Sequence, residues 1–119
     1  MTVDTYRPMR PNLLVYLCGP ITARAGWTVE EHVAMALRVH HEALVLGIPT
    51  HCPHLNAAFP SAWTEIPRET WLSYGLAMVK RSTHLMTLPG WEASEGCQLE
   101  VEMAKDRRIP IIRFLSEIK

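Results

Sequence analysis

The sequence predicts an α/β fold, a three-layer sandwich built on a parallel sheet of four or five strands with the first strand in a central position. Short apolar runs alternate along the chain with amphipathic segments of helical period, the pattern of strands joined by crossover helices. The 119 residues are 48% apolar and 20% charged, which is ordinary for one compact domain. We therefore predict a single domain over residues 1–119, in which residues 1–12 form an irregular leader.

The first strand and the first helix have the clearest signals. Leu13–Cys18 is a continuous apolar run without alternation, which is typical of a strand buried on both faces. Thr28 is followed three residues later by Glu31, the spacing of a capping box at the start of a helix. Apolar residues then recur at helical spacing until Gly47, which predicts the end of the helix.

The middle of the chain predicts a weak strand, a loop and a second helix. Ile48–Cys52 is short and contains Pro49, so we expect it at an edge of the sheet. His54–Pro67 reads as a loop with one short helical turn. The second helix begins near Pro67, because proline fits the first helical turn.

The last third of the chain has the pattern of one helix with a strand before it and a strand after it. His84–Leu88 is the third strand, and Pro89-Gly90 ends it. Glu95–Arg107 is the third helix, with cations gathered at its carboxyl end as the helix dipole favours. Ile109–Phe114 is the fourth strand.

Charge and composition exclude several classes of function. Twelve basic residues balance twelve acidic ones, and no broad basic surface is visible, which argues against duplex nucleic acid as a partner. The apolar runs are far shorter than a membrane span, and no apolar signal core follows the N-terminus. Three cysteines, Cys18, Cys52 and Cys97, cannot all pair within one chain, so we expect a reducing, cytoplasmic location without disulfides.

Three loops follow the predicted strands at their carboxyl ends, where ligands bind in parallel sheets: Gly19–Trp27, His51–Pro60 and Pro89–Gly96. The third leads directly into a helix, and Ser94 and Gly96 would offer a hydroxyl and free backbone N–H groups to an anion such as a phosphate. Glu100 lies further into the same helix, where its carboxylate would stand near a sugar attached to that phosphate.

Two motifs carry a resemblance to a known family. Tyr16–Thr22 reads YLCGPIT, and Leu88–Ala104 reads LPGWEASEGCQLEVEMA. Together they resemble the nucleoside 2-deoxyribosyltransferase-like superfamily, and within it a branch of small proteins that share the GPIT and LPGWE signatures and are related to 2′-deoxynucleoside 5′-phosphate N-hydrolases. The resemblance covers residues 13 to 114 and implies a flavodoxin/Rossmann-like sheet.

The resemblance implies cleavage or transfer at the N-glycosidic bond of a nucleoside or its 5′-monophosphate. Glu100 matches the nucleophile that attacks the anomeric carbon, and Tyr16 matches a tyrosine that orients it. Ser94 and Gly96 match a contact to the 5′-phosphate. We also expect a second group of residues to contact the substrate: Gly19, Pro20, Ile21, His54 and Trp91.

The sequence departs from the superfamily where an acid is needed. The aspartate that protonates the leaving base falls at Gly75, and a further acidic position falls at Thr83. A general acid typically contributes about 10² to 10⁴ in rate. Four other residues of the chain are candidates for the role of this acid: Glu92, Glu69, Tyr74 and His54. We include Glu92 among the catalytic residues. Otherwise the acid comes from another subunit, or the chemistry is lost.

Two other functions stay open. A binding or sensing module would keep the pocket without turnover, which the missing aspartate favours. A phosphatase would use Cys18 and Arg24, which satisfy Cys-x5-Arg after the first strand. Pro20 argues against the phosphatase, because it removes an N–H that the phosphate would need.

We predict neither a metal nor a cofactor. His51, Cys52 and His54 suggest zinc, but no fourth donor stands at ligand spacing. The expected partner is a nucleoside or nucleotide small molecule. A second copy of the chain is also expected, because so small a sheet leaves apolar surface beside its helices and the resembled family commonly forms dimers or larger assemblies.

Overall fold

The computed structural model describes residues 6–22, 26–58 and 65–119. Four strands form one parallel sheet in the order β2-β1-β3-β4, namely β1 Val15–Cys18, β2 Thr50–His51, β3 His84–Thr87 and β4 Ile111–Ile112. Three helices are described, namely α1 Val29–Val45, α2 Arg68–Lys80 and α3 Glu95–Asp106. The predicted α/β class and parallel sheet are confirmed, and β1 lies between two neighbours as predicted.

Short 3-10 turns lie between these elements, at Pro53–Ala58, Trp91–Ala93 and Leu115–Glu117. The first of them is the helical turn predicted within His54–Pro67, and residues 59–64 of that loop lie outside the described residues. β2 takes the edge position that Pro49 predicts. Among the described helices, none combines the length and the apolar character needed to cross a membrane.

The capping box at the start of α1 is confirmed. The Thr28 hydroxyl accepts a hydrogen bond from the Glu31 N–H at 3.1 Å, and the Glu31 carboxylate accepts one from the Thr28 N–H at 2.9 Å. Gly47, two residues beyond the last helical residue, has a φ of +75°. A Cβ at Gly47 would lie 2.6 Å from the Pro8 carbonyl oxygen, so the close approach of the leader also requires glycine there.

The prediction of a fourth strand over Ile109–Phe114 is wrong in its length, because β4 has only two residues. The Glu117 carboxylate accepts hydrogen bonds from the N–H groups of Arg113 at 2.6 Å and Phe114 at 2.7 Å. These two donors are therefore engaged by a side chain within a 3-10 turn, and the strand ends before them.

The sheet residues divide between two core clusters because successive side chains of a strand point to opposite faces. Val15 and Leu17 join the buried residues of α1 in one cluster. Tyr16 and Cys18 join buried residues of α2 and α3 in the other. The alternation along β1 therefore directs Tyr16 and Cys18 toward the beginning of α3.

A buried histidine connects the loops that follow β1 and β2. His54 is 1% exposed, and its Nε2–H donates to the Pro20 carbonyl at 3.0 Å. Its Nδ1 is buried and has no hydrogen-bond partner among the described residues. Burial lowers the pKa of His54 to about 4, so the ring is neutral at pH 7.

We expect the free energy of unfolding to fall as the pH drops from 6.5 to about 4, the two pKa values of His54 in the unfolded and folded states. In that range His54 binds a proton in the unfolded chain but not in the folded protein. The contribution of His54 to the free energy of unfolding is therefore fully present above pH 6.5 and is lost toward pH 4. A shift of this size corresponds to about 3 kcal/mol.

Denaturant titrations at several pH values measure this dependence. His54→Gln keeps an N–H donor for Pro20 but does not titrate, so its stability should fall less steeply than that of the wild type. His41→Gln, at an exposed position of α1, is the matched control and should follow the wild type. Parallel curves for the wild type and His54→Gln would contradict the prediction.

Candidate functional site

A cavity of about 430 Å³ lies beyond the carboxyl end of β1, between the loop that follows it, α2 and the beginning of α3. Its size is within the usual range for small-molecule sites. The sheet order places β1 between β2 and β3, so the chain continues from β1 toward one edge of the sheet and later returns to fill the other side. Ligands of open parallel sheets bind where the strand order changes direction in this way. The cavity is therefore where the fold predicts a ligand.

A buried tyrosine and a half-buried glutamate meet at the cavity. The Tyr16 hydroxyl donates to Glu100 Oε2 at 2.5 Å, and Tyr16 is only 2% exposed. The Cys18 thiol donates to Glu100 Oε1 at 3.5 Å. Tyr16 and Cys18 alternate along β1 and so share one face, and α3 carries Glu100 over that face. Both carboxylate oxygens of Glu100 thus have a donor.

Burial dominates the electrostatics of this pair. It raises the pKa of Glu100, although the hydrogen bonds from Tyr16 and Cys18 act in the opposite direction. Burial, together with the neighbouring Glu100 charge, raises the pKa of Tyr16, which therefore stays a protonated donor. The arrangement is a half-buried carboxylate held in position by a phenol at the wall of the cavity.

Gly75 of α2 faces this pair directly. A Cβ at position 75 would lie 2.5 Å from Glu100 Oε2 and 3.1 Å from the Tyr16 hydroxyl. Any side chain there would have to displace the carboxylate, so the absence of one allows α2 to close over Glu100. Position 75, where the resemblance places an aspartate, is adjacent to the expected nucleophile.

The second expected acidic position, Thr83, lies at the opposite end of the sheet. Its hydroxyl accepts from the Leu14 N–H at 3.0 Å and so ties the residue before β1 to the residue before β3. Thr83 has a structural role and does not reach the cavity.

The amino end of α3 forms one wall of the cavity. Ser94 is the N-cap, and its hydroxyl accepts from the Cys97 N–H at 3.3 Å. Ser94 and Gly96 both line the cavity, as do Gly19 and Ile21 from the loop after β1. The structure thus brings these predicted substrate contacts together with Tyr16 and Glu100.

Four other residues that the sequence singled out are not brought to this cavity. Trp91 and Glu92 line a separate cavity of about 1070 Å³ beside α1, because the left-handed Gly90 starts a 3-10 turn that carries them there. Pro20 and His54 are buried, and they bond to each other instead of lining the site. The structure therefore does not bring these four residues into the cavity with Glu100, and their expected roles stay predictions.

The structure adds residues that the sequence analysis did not connect with this site. Arg68 at the start of α2 and Glu95 at the start of α3 line the cavity and form an exposed ion pair at 3.7 Å. Tyr74, which the sequence offered as a substitute acid, also lines it. His51 stacks on Tyr16, with ring centres 5.5 Å apart, and contacts Tyr74 edge-on at 5.7 Å. Proximity across separate elements leaves no signal in the spacing of a single sequence.

The thiol of Cys18 has the wrong environment for a phosphatase nucleophile. It is fully buried, and its neighbours Cys97 and Glu100 together with burial raise its pKa. A nucleophilic cysteine needs a lowered pKa and positive surroundings. Arg24, the other half of that hypothesis, lies outside the described residues.

Comparison with known proteins gives a family but no activity. No curated protein matches the chain. A family model described as a domain of unknown function, DUF4406, matches residues 13–113. This range runs from just before β1 to the residue after β4, and it includes both Tyr16 and Glu100. The chain therefore belongs to the DUF4406 family.

Proposed function

We propose that this protein cleaves or transfers the N-glycosidic bond of a nucleoside or nucleoside 5′-monophosphate, with Glu100 as the nucleophile. The observation that carries the proposal is the Glu100 carboxylate, bonded by Tyr16 and exposed to a cavity that fits a small molecule. The resemblance to the nucleoside 2-deoxyribosyltransferase-like superfamily is part of the proposal, since the family match names no activity.

The chemistry proceeds in two steps. A Glu100 oxygen forms a bond to the anomeric carbon of the sugar while the bond from that carbon to the base nitrogen breaks, and the base leaves with the electron pair and takes a proton. Water, or a second base, then attacks the same carbon and releases the carboxylate. Tyr16 fixes one carboxylate oxygen, and the weaker contact from Cys18 leaves the other one available for attack.

The leaving base needs an acid, and Gly75 supplies none. Of the four substitutes that the sequence offered, Tyr74 alone lines the cavity, so it is the acid in this proposal. Glu95 also lines the cavity, but its carboxylate is paired with Arg68. Tyr74 and Glu95 are thus the two proton donors to test.

The second candidate function is a nucleotide-binding module without turnover. Gly75 favours it, because the glycine occupies the position next to Glu100 where an acid would act. Both functions use the same cavity and differ only in whether the bound base is released.

The homo-oligomer that the sequence suggests stays a prediction. Four exposed apolar side chains on α1 offer a surface for it, namely Val29, Leu37, Leu44 and Val45. The cytoplasmic location likewise stays a prediction.

Replacing Glu100 tests the proposed nucleophile. We expect Glu100→Gln to lower the rate of base release from nucleoside 5′-monophosphates by at least about 10³-fold, since it removes the attacking oxygen's charge. Tyr16→Phe removes one hydrogen bond to a charged group, which is equivalent to about 10- to 100-fold in rate. Chromatographic detection of the free base across a panel of nucleotides measures both effects.

Glu102→Gln is the matched control, because Glu102 is an exposed carboxylate on the same helix. It should leave base release unchanged. If the wild type binds nucleotides and releases no base from any of them, the binding module replaces the enzyme.

Gly75→Ala tests the close approach of α2 to Glu100. Alanine is favoured over glycine within a helix by about 1 kcal/mol, so the fold should persist. The added Cβ would displace the carboxylate, and a misplacement near 1 Å costs about 10²-fold in rate. Ser73→Ala, at an exposed position of α2, is the control and should keep full activity. Full activity in Gly75→Ala would show that Glu100 does not react from this position.

A phosphate contact at the amino end of α3 predicts tighter binding of monophosphates than of free nucleosides. Charge-assisted hydrogen bonds from Ser94, Arg68 and free N–H groups would give about a 10- to 100-fold preference. Ser94→Ala and Arg68→Gln should each reduce that preference, as measured by calorimetry. Arg81→Gln, an exposed arginine at the other end of α2, should not. An unchanged preference in Ser94→Ala would leave Ser94 as a helix cap only.

A further inference from the structure

Two thiols and a carboxylate converge beside the cavity, which Cys97 and Glu100 line. Cys18 Sγ, Cys97 Sγ and a Glu100 carboxylate oxygen all lie within 4.8 Å of one another. Both cysteines are buried, and neither thiol takes part in the glycosidic chemistry proposed above. Glu100 is the proposed nucleophile, and the two thiols form no bond in that reaction.

The separations agree with tetrahedral metal coordination. Zinc binds sulfur at about 2.3 Å and carboxylate oxygen at about 2.0–2.2 Å, so a sulfur and an oxygen on one tetrahedral zinc ion are about 3.5 Å apart. Cys18 Sγ and Glu100 Oε1 are 3.5 Å apart without any ion. This sulfur and this oxygen are therefore already separated like two ligands of one zinc ion, and the other separations are at most 4.8 Å.

The backbone holds the three donors in fixed relative positions. Cys18 is the last residue of β1, and it lies in the middle of the sheet. Cys97 and Glu100 are three residues apart on α3, a spacing that puts both side chains on one face of a helix. Sites whose ligands stand on strands and helices keep their geometry better than sites on loops.

We propose that Cys18, Cys97 and Glu100 bind a borderline-soft divalent cation, with Zn²⁺ as the physiological example, and that the fourth coordination position opens toward the cavity. Two sulfurs and one carboxylate oxygen suit Zn²⁺, whereas Mg²⁺ and Ca²⁺ require mostly oxygen ligands. Both Cys97 and Glu100 line the cavity, which provides the entry path and room for a water ligand.

The charge balance makes such a site compatible with its burial. Each Zn²⁺ that binds displaces the protons of the two thiols, so one divalent ion enters and two protons leave. The net charge of the cluster, with Glu100 ionised, is the same before and after. Tyr16 keeps its hydrogen bond to Glu100 Oε2 and so orients the ligating carboxylate from outside the coordination sphere.

Metal and substrate would exclude each other. The cation takes the lone pair of the Glu100 oxygen that faces Cys18, which is the oxygen available for attack on the sugar. Zn²⁺ would therefore inhibit base release, and a chelator would restore it. This inhibition rests on the proposed function, whereas the binding of the metal does not.

Binding is tested on the reduced, chelator-treated full-length protein without any nucleotide. We expect calorimetry to detect one Zn²⁺ per chain, and Co²⁺ to give the near-ultraviolet absorption of thiolate coordination. Cys18→Ala and Cys97→Ala should weaken Zn²⁺ binding by at least about 100-fold, because even residues that only orient a ligand cost 10- to 100-fold when removed. Glu100→Gln, of nearly the same shape, should also weaken it.

Cys52→Ala is the matched control, since Cys52 is a buried thiol in the other core cluster. It should bind Zn²⁺ as the wild type does. The proposal is overturned if the wild type binds no Zn²⁺, if Co²⁺ shows no thiolate absorption, or if Cys52→Ala loses the metal to the same extent as Cys18→Ala. The Co²⁺ measurement uses the wild type, so it does not depend on whether a variant folds.

The proposed glycosidic activity and the proposed metal site can each be contradicted without contradicting the other. Zn²⁺ binding without base release in the metal-free protein contradicts the proposed activity and leaves the metal site intact. Base release that continues unchanged when the site is saturated with Zn²⁺ contradicts the exclusion of substrate by metal.

Discussion

The hydrogen bond between the buried Tyr16 hydroxyl and Glu100 is the constraint on which the site depends. An ionised carboxylate is costly to remove from water unless it is hydrogen-bonded, so Glu100 needs the donors that β1 supplies. That need brings α3 close to the centre of the sheet, and it leaves space for α2 only where its side chain is absent, at Gly75. The strand β1, the helix α3 and Gly75 of α2 therefore meet at one half-buried carboxylate.

The same environment gives Glu100 two chemical capacities. A carboxylate that is partly deprived of water is a stronger base and nucleophile than one on the surface, as its raised pKa indicates. With Cys18 on one side and Cys97 nearby, it is also the oxygen donor of the metal site proposed above. If both proposals hold, the concentrations and affinities of nucleotide and cation decide which of them occupies the site.

Local signals in the sequence predicted local structure well. Thr28 and Glu31 define the start of α1 because a capping box involves only four neighbouring residues, and the Ser94-to-Glu100 spacing places its residues correctly on one helix. Features that depend on contacts between residues far apart in the sequence could not be predicted in this way. The end of β4 is decided by the later Glu117 carboxylate, and the approach of Arg68 to Glu95 by the packing of two helices. Trp91 follows a left-handed Gly90 and lines the separate cavity, and its expected substrate contact stays a prediction.

Both outer strands of the sheet are two residues long. On one side Pro49, which has no N–H, directly precedes β2, and on the other the Glu117 side chain covers the donors that would extend β4. Exposed strand edges are templates for aggregation and for the exchange of strands between molecules. In the described part of the chain, neither edge offers a row of donors long enough for such pairing, so these two edges do not favour continuation of the sheet from one molecule to the next.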